Sequence, residues 1–419
     1  MLRSLFSAIS GLQAHQTKMD TVSNNIANVN TVGYKSQSTV FEDTLSQLLS
    51  SGSGPTADTG GTNPAQVGLG VQVAGITTNF SQGATQSTGR ASDFMISGDG
   101  FFITQSGNQN LYTRAGSFDL DGSNRLVTPN GGLLQGWMAQ PDGTVNTNGA
   151  LGALTIPYGS SIAPQPTTNG MLSGNLDSTP TKDASGVSQP ANLESQVTAY
   201  DKQGNAHVLT YKLSDAAGTN HWTIDVLDGT QSLVGGPQPL AFDATTGKPS
   251  PATISFTPTA TTSPTWASPG QVDLNISGLT NYGSASSLTV GTPPSGAGSA
   301  MGTLESYTLG DDGTITGVYS NGLRQPIGQV ALATFVNPGG LTKSGDSTYA
   351  VGDNSGQPQV GTAGTGGRGK LSSGALEMSN VDLSQEFTGL IIAQRGFQAN
   401  SKVITTSDQI LNDLVNMKQ

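Results

Sequence analysis

The 419-residue chain contains no cysteine, which excludes disulfide bonds, thiolate nucleophiles and thiolate metal ligands. Charged residues make up only 11% of the sequence, against about 25% in an average soluble domain. The formal net charge is −11, so the basic surface that binds nucleic-acid phosphates is not expected, and we predict no nucleic-acid partner. So few charges indicate that part of the surface is covered by something other than water.

Long apolar runs are also missing. No stretch of 18 apolar residues is present, so the sequence predicts no membrane insertion. In the first residues, MLRSLFSAISGLQAHQ, the polar Ser4, Ser7 and Ser10 interrupt the apolar positions before a signal-peptide core accumulates. We therefore expect no cleaved secretory signal.

Residues typical of enzyme sites are scarce, and we expect no catalytic residue, no cofactor and no metal site. DLDG at 119–122 and DDG at 311–313 lack the further oxygen ligands of a calcium loop and are typical of hairpin turns. GTGGRG at 364–369 lacks the lysine–serine pair of a phosphate loop. A two-histidine metal site at His207 and His221 stays open if their strands pair, although ordinary strand positions are favoured.

A seven-residue apolar repeat runs through each end of the chain. In the first 30 residues it comprises Leu5, Leu12, Met19 and Ile26, each followed three positions later by Ala8, His15, Val22 and Val29. Near the other end it comprises Leu383, Leu390, Phe397, Ile404 and Leu411, with Phe387, Ala393, Leu414 and Val415 at flanking positions. The repeats predict two long terminal helices that pair as a coiled-coil-like unit.

This pairing alone is marginal in free energy. Five buried heptad positions per helix, at about 2 kcal/mol each, give on the order of 10 kcal/mol, whereas ordering 30 residues costs more. We therefore expect partner chains to supply further burial. Head-to-tail contacts that do not close into a ring generate a helical filament, so the expected partner is the chain itself.

The order of segments predicts a nested α+β chain that is mainly β. Residues 50–70 and 352–374 are rich in glycine, serine and proline and resemble linkers. Turn signals such as Gly98-Asp99-Gly100 and Asn130-Gly131 separate short strands between them. We predict a terminal helical domain (1–30 with 376–419), a flexible connection (31–70 with 353–375), an inner antiparallel β domain (71–145 with 302–352) and an inserted outer β domain (146–301).

Four asparagines crowd the end of the first predicted helix in SNNIANVNTVGYKS. Asparagine is a poor helix former, and a solvated face would normally carry charges. If Ile26 and Val29 mark the buried seam, then Asn24, Asn25, Asn28 and Asn30 occupy the other faces before Gly33, which can end the helix. Neutral amides there predict contact with neighbouring subunits, where an unpaired charge would be costly.

Four motifs in order resemble those of the bacterial flagellar axial proteins of the rod and hook. SAISGLQAHQTKMDTVSNNIANVNTVGYKSQ is similar to the N-terminal signature, FMISGDGFFIT and YTRAGSFDLDGSNRLVTPNGGLLQGW to the β-region motifs, and GLIIAQRGFQANSKVITTSDQILNDLVNMK to the C-terminal helix. The positions on the N-terminal motif are Ser23, Asn24, Asn25, Ile26, Ala27, Asn28, Thr31, Gly33, Tyr34 and Lys35. Of these we assign Gly33, Tyr34 and Lys35 to the turn after the helix.

Within this family the layout is most similar to the hook branch, because the distal rod branch is expected to be shorter and to lack an insertion like 146–301. The resemblance implies a structural subunit of a short curved tube that works as a universal joint. It also implies export through the flagellar type III apparatus, assembly beneath a hook cap, an extracellular location, and distal rod and hook–filament junction proteins as neighbours. FEDTL, from Phe41 to Leu45, resembles the element by which early substrates engage the export gate.

Two other classes of function stay open. A distal rod or other axial protein shares the terminal motifs. A secreted β-rich glycan-binding adhesin would use the insertion as its binding face, with Trp222, Trp266 and Tyr282 stacking on sugars, although such aromatic residues are usually part of a core.

Overall fold

The computed structural model describes residues 2–56, 58–179, 185, 189–215, 220–257, 271–291 and 296–417. They form two compact units. Unit 1 comprises Met1–Ile156, Tyr307–Thr316 and Pro326–Gln419, and unit 2 comprises Pro157–Ser306 and Gly317–Gln325. Most described residues that are in regular structure are in β-strands, which confirms the predicted α+β, mainly β class.

Two α-helices are present in the described part of the chain, α1 (Leu2–Ala27) and α2 (Leu383–Asn416), and they pack together as the heptad repeats predict. The Asp382 carboxylate caps α2 by accepting hydrogen bonds from the amides of Ser384 and Gln385, at 2.8 and 3.2 Å. No helix among the described residues is long and apolar enough to cross a membrane.

Helix α1 ends earlier than the sequence predicts. The Asn28 side-chain nitrogen donates to the backbone oxygen of Asn24 at 2.9 Å, and residues 28–33 form turns. Val29 and Asn30 therefore lie beyond the helix. Gly33 has a φ of 68°, and a Cβ there would lie 2.5 Å from the Ala115 amide nitrogen, so glycine is required where these segments meet.

The strands are short and numerous. Those before residue 157 are β1 (Gln37–Asp43), β2 (Ser46–Ser50), β3 (Ala65–Gly68), β4 (Val71–Thr78), β5 (Thr85–Ser87), β6 (Phe94–Ser97), β7 (Phe101–Ser106), β8 (Gln109–Thr113), β9 (Asp119–Leu120), β10 (Leu126–Val127), β11 (Leu133–Met138) and β12 (Gly152–Ala153). The next are β13 (Ser161–Ile162), β14 (Asn169–Asp177), β15 (Ala191–Tyr200), β16 (Ala206–Asp215), β17 (Thr223–Asp228), β18 (Gln231–Ser232), β19 (Gln238–Pro239), β20 (Thr253–Phe256), β21 (Val272–Tyr282) and β22 (Ser287–Gly291). The last are β23 (Gly302–Leu309), β24 (Thr314–Tyr319), β25 (Arg324–Val330), β26 (Leu332–Thr334), β27 (Thr342–Gly345), β28 (Thr348–Ala350), β29 (Gln359–Gly361), β30 (Lys370–Ser373) and β31 (Ala375–Glu377), with a 3₁₀ turn at Pro338–Gly340 between β26 and β27.

Unit 1 is built around antiparallel strand pairs. Strand β7 pairs with β8, β11 and β26, and β8 continues through β28 to β27. An aromatic cluster packs within this unit, with the Phe101 ring 5.5 Å from Phe80 and 5.8 Å from Phe335. Alternating apolar side chains on β7, which is buried over most of its length, explain this core.

The sequence predicts that the two glycine-rich segments are flexible linkers. In the structure both contain paired strands. Residues 31–70 contain β1, which pairs with β4, and the β2–β3 hairpin. Residues 353–375 contain β29, which pairs with β26, and β30, which pairs with β6. Strand β31 pairs with β5 in turn. The partners of β30 and β31 lie near the start of the chain, where no local pattern indicates them.

Unit 2 consists mainly of two sheets that enclose one core. One sheet has the order β20-β21-β14-β22, with β14 and β21 parallel, and the other has β15-β16-β17-β18. Alternate residues of β16 point into the core, including Leu209, Tyr211 and Leu213. The unit occupies most of the predicted insertion 146–301, begins at residue 157 and includes the tip of the β24–β25 hairpin.

Candidate assembly site

The paired helices meet along the predicted seams. On α2 the side chains of Leu390, Phe397, Ile404 and Leu411 are all half-buried, and on α1 Leu5, Leu12, Met19 and Ile26 are half-buried while Ala8 and Val22 are buried. Leu383 and Phe387 differ from the prediction, because they are 40% and 50% exposed at the start of α2. A second inward row on α2 consists of Glu386, Ala393, Asn400 and Ser407. The sequence pattern indicates only Ala393 among them, because the other three are polar.

Small residues let the two helices approach closely. A Cβ at Gly396 of α2 would lie 2.5 Å from the His15 ring, and one at Gly11 of α1 would lie 2.7 Å from the Asn400 side-chain nitrogen. His15 is enclosed on its other side by the Phe41 ring, 5.8 Å away in an edge-to-face arrangement. Burial lowers the pKa of His15, and the nearby Lys18 lowers it further.

Asn25 faces into its own subunit, which corrects its predicted placement on an outward face. Its side-chain nitrogen donates to the Gln37 backbone oxygen at 2.7 Å and to a Glu386 carboxylate oxygen at 2.8 Å. Its side-chain oxygen accepts from the Gln37 amide at 3.0 Å and from the Tyr34 hydroxyl at 3.1 Å. The fully buried amide thus joins α1, α2 and β1, because both of its polar groups find internal partners.

The other asparagines of this stretch are more open. Asn24 is exposed, and its side-chain oxygen accepts from the Tyr34 hydroxyl at 2.9 Å. Asn28 is half-buried and Asn30 is exposed. Their predicted contact with neighbouring subunits stays a prediction.

A buried ion cluster lies directly after this turn, and only one of its members was singled out from the sequence. The Lys35 ammonium is 2.7 Å from one carboxylate oxygen of Glu377, and the Arg114 guanidinium is 3.4 Å from the other. The Gly83 amide also donates to Glu377, at 2.9 Å. Lys35 and Glu377 are fully buried, so the predicted turn residue Lys35 is a core ion instead.

Burial lowers the pKa of Lys35 and of Arg114, and the adjacent Glu377 opposes this lowering for both. Neither Glu377 nor Arg114 could be found from local spacing, because Lys35 and Glu377 are 342 positions apart. The cluster therefore ties the start of the chain, the β region and the segment before α2 together.

Several large apolar side chains are exposed on the two helices. Phe6 is 67% exposed, and on α2 Ile391 and Ile392 are 58% and 56% exposed. The set consists of Phe6 and Ile9 on α1 and of Phe387, Ile391, Ile392, Val403 and Ile410 on α2, and we call it the outer apolar surface. Exposed apolar side chains that lie together on a soluble protein mark an interaction surface.

The two apolar residues of the predicted export element, Phe41 and Leu45, differ in burial. Phe41, on β1, is half-buried against His15, and the Lys18 ammonium lies 5.8 Å from its ring centre. Leu45 is among the most exposed apolar side chains of the described residues. In the folded chain Phe41 is therefore a packing residue, and its role in export stays a prediction.

Trp222, Tyr282 and His207, which the alternative sites in unit 2 would use, make other contacts in the structure. Trp222 is buried in the core and its indole nitrogen donates to the Asp177 backbone oxygen at 3.3 Å, so it cannot stack on a sugar. Trp266 lies outside the described residues, and the Tyr282 hydroxyl donates to the Thr246 backbone oxygen. His207 lies 3.1 Å from an Asp228 carboxylate oxygen. Within the described ranges no group of three or more histidine or acidic side chains could hold a metal ion.

Comparisons with known proteins now bear on this geometry. The flagellar hook protein FlgE of Borreliella burgdorferi is 42% identical to the chain over 100% of both sequences, and that of Treponema pallidum is 39% identical over 100% of both. The chain belongs to the flagellar hook protein family. Its ends match the family models "Flagella basal body rod protein" at residues 5–35 and "Flagellar basal body rod FlgEFG protein C-terminal" at residues 372–417.

Two further family models cover the β region: "Flagellar hook protein FlgE/F/G D1 domain" at residues 95–164 and "Flagellar basal body protein FlaE D2 domain" at residues 175–292. The insertion, which carried no recognised motif, is thus also a family domain. A flagellar basal-body rod protein FlgG of Bacillus subtilis is 32% identical over 100% of both chains. Chain length therefore does not separate rod from hook relatives, contrary to expectation, whereas the higher identity favours the hook family.

Proposed function

We propose that this structural subunit of the flagellar hook polymerises through its paired terminal helices into a short, curved, flexible tube. The tube would transmit motor torque to the filament as a universal joint, and the role is structural and not enzymatic. The observation that carries the proposal is the outer apolar surface. Head-to-tail burial of this surface against a second copy would extend the polymer without closing a ring.

Burial of the outer apolar surface would stabilise the polymer. Each isoleucine of the outer apolar surface is about half exposed, so its removal from water contributes about 1 kcal/mol. The same contacts recur at every subunit, so a helix pair that is only marginally stable in one chain is stabilised in the polymer. The partner is expected to be another copy because the chain carries few charges and an overall negative charge, which does not favour nucleic acid.

Family membership supports the remaining partners and the location. We infer assembly in the extracellular part of the flagellum, beneath a hook cap, between distal rod and hook–filament junction proteins, after export through the flagellar type III apparatus without signal cleavage. Sliding contacts between outer domains would let the tube bend as it rotates, and the low charge content favours such contacts.

The test is the double substitution Ile391→Asp and Ile392→Asp in the full chain. Two buried charges would oppose assembly, so tubes grown in high salt and viewed by electron microscopy should disappear. Val208→Asp is the matched control, since Val208 is 52% exposed on β16 of unit 2. Both variants should keep the wild-type unfolding temperature; normal tubes from the double variant would refute the role of the helix pair.

A further inference from the structure

Arg114 in unit 1 has an unused hydrogen-bond donor. Its side chain is almost completely buried. Nitrogen Nη1 donates to the Gly98 backbone oxygen at 2.8 Å and lies 3.4 Å from the Glu377 carboxylate. Among the described residues, the buried Nε has no hydrogen-bond partner. One N–H group of this buried guanidinium is thus unsatisfied, which costs free energy.

The edge of the Arg114 guanidinium that carries Nε and Nη2 has the geometry to bind a carboxylate. Nε and Nη2 present two parallel N–H groups, the geometry that binds both oxygens of a carboxylate. The guanidinium carbon lies 5.3 Å from the centre of the Phe101 ring, within the distance of a cation–π contact that helps to hold it in place. A planar anion would therefore meet a preorganised partner.

The local charge favours an anion. The buried cluster contains two cations, Lys35 and Arg114, and one carboxylate, Glu377, which leaves one positive charge uncompensated inside. Asp99 is exposed and forms no ion pair with Arg114. Burial lowers the pKa of Arg114, and the negative charges of Glu377 and Asp99 oppose that lowering. Another carboxylate bound to the fork would neutralise the cluster.

Arg114 also lines a cavity of about 330 Å³. The same cavity is lined by Phe80, Phe101, Phe335 and Val336, with Asp99 and the glycine-rich segment at Gly366 and Gly367. Val336 is 78% exposed, so the cavity has an open side. The space suffices for one side chain or a small organic anion.

We propose that this cavity is a carboxylate-binding site in which the Nε and Nη2 atoms of Arg114 donate to the two oxygens of one carboxylate. Two sources share this chemistry: an acidic side chain of a second copy, and a free carboxylate anion. The chain supplies 28 acidic residues against 17 basic ones, so a neighbouring copy presents many candidates.

The test uses the soluble full chain and ¹³C-labelled acetate at constant ionic strength, with chloride as the balancing anion. The acetate line should broaden in a saturable way with the wild-type protein. Val336→Trp should cover the cavity and abolish the broadening, whereas Val208→Trp, at an exposed position in unit 2, should leave it unchanged. Asp99→Asn should tighten binding several-fold, because a like charge is removed. Arg114→Lys, which keeps the charge but loses the fork, should weaken it about tenfold or more.

Equal broadening by the two tryptophan variants, or none by the wild type, would overturn the proposal. Broadening by Asp99→Asn alone would mean that Asp99 itself occupies the fork and would also overturn it. Assembled tubes then distinguish the two possible sources of the bound carboxylate. This part of the experiment rests on the proposed function. Loss of acetate binding on assembly identifies an acidic side chain of a second copy, and retained binding identifies a free anion.

Discussion

A hydrogen bond between Asn25 and Glu386 connects α1 to α2. The Glu386 carboxylate accepts from the Asn25 amide, and its pKa is raised by burial, with the nearby Asp382 adding to the rise. The hydrogen bond from Asn25 and the charge of Lys18 oppose this shift. A folded-state pKa above the unfolded value means that the ionised form is disfavoured by folding.

The sign of the pH dependence follows. Stability from Glu386 is fully present below its unfolded pKa and is lost as the pH rises through the raised folded pKa. Glu386→Gln keeps an oxygen that accepts from Asn25 but removes the charge, so at pH 7 it should stabilise the helix pair. Thermal unfolding followed by the helical circular dichroism signal should show a smaller loss of stability between pH 4 and pH 7 than in wild type. Glu305→Gln, at an exposed position, is the control; identical pH profiles for Glu386→Gln and wild type would contradict the prediction.

At the scale of elements, the helix pair depends on where its glycines lie. A Cβ at Gly396 would meet the His15 ring, which Phe41 holds from the other side. At Gly389, on the same helix, the nearest atom to a Cβ is a Val22 methyl carbon at 3.7 Å, an ordinary contact. The two sites share helix propensity and differ in packing.

Substitution by alanine separates these effects. Gly389→Ala should stabilise the pair by about 1 kcal/mol, because alanine is the better helix former. Gly396→Ala gains the same propensity but suffers an overpacking cost of about 1–3 kcal/mol, so it should be equal to or less stable than wild type. Chemical unfolding monitored by helical circular dichroism checks the order, and equal stabilisation by both alanines would show that His15 simply moves aside.

The sequence reveals the helices more completely than the strands. Leu390, Phe397 and Ile404 repeat within one element, so their pattern is local and survives in the fold. Strands β30 and β31 lie in a glycine- and serine-rich stretch and become strands only by pairing with β6 and β5. Glu377 was missed for the same reason, since its partners Lys35 and Arg114 are distant in sequence. Asn25 was assigned to an outward face because its internal acceptors lie on other elements.

At the scale of the whole molecule, the two units are assembled differently. Most of unit 2 comes from one continuous stretch, residues 157–306, and it has its own core around Leu213, Trp222 and Leu274. Unit 1 draws on three stretches and contains the buried ion cluster. Units with separate cores are expected to unfold separately.

Glu377→Gln tests this division. The substitution leaves Lys35 and Arg114 buried without their counter-charge, a loss of about 3–5 kcal/mol. Hydrogen–deuterium exchange should therefore accelerate in β7 and α1 of unit 1, while β16 of unit 2 keeps its wild-type protection. Equal acceleration in β16 would show that the two units unfold as one.

The pairing of β5 with β31 and of β6 with β30 also imposes an order in time. A chain synthesised or transported only as far as residue 369 has no edge partners for β5 and β6 and no carboxylate for Lys35 and Arg114. Unit 2, by contrast, already has all of its residues. The last stretch of polypeptide completes unit 1 and supplies α2 to α1, so the helix pair and the buried ion cluster can form only after that stretch is present.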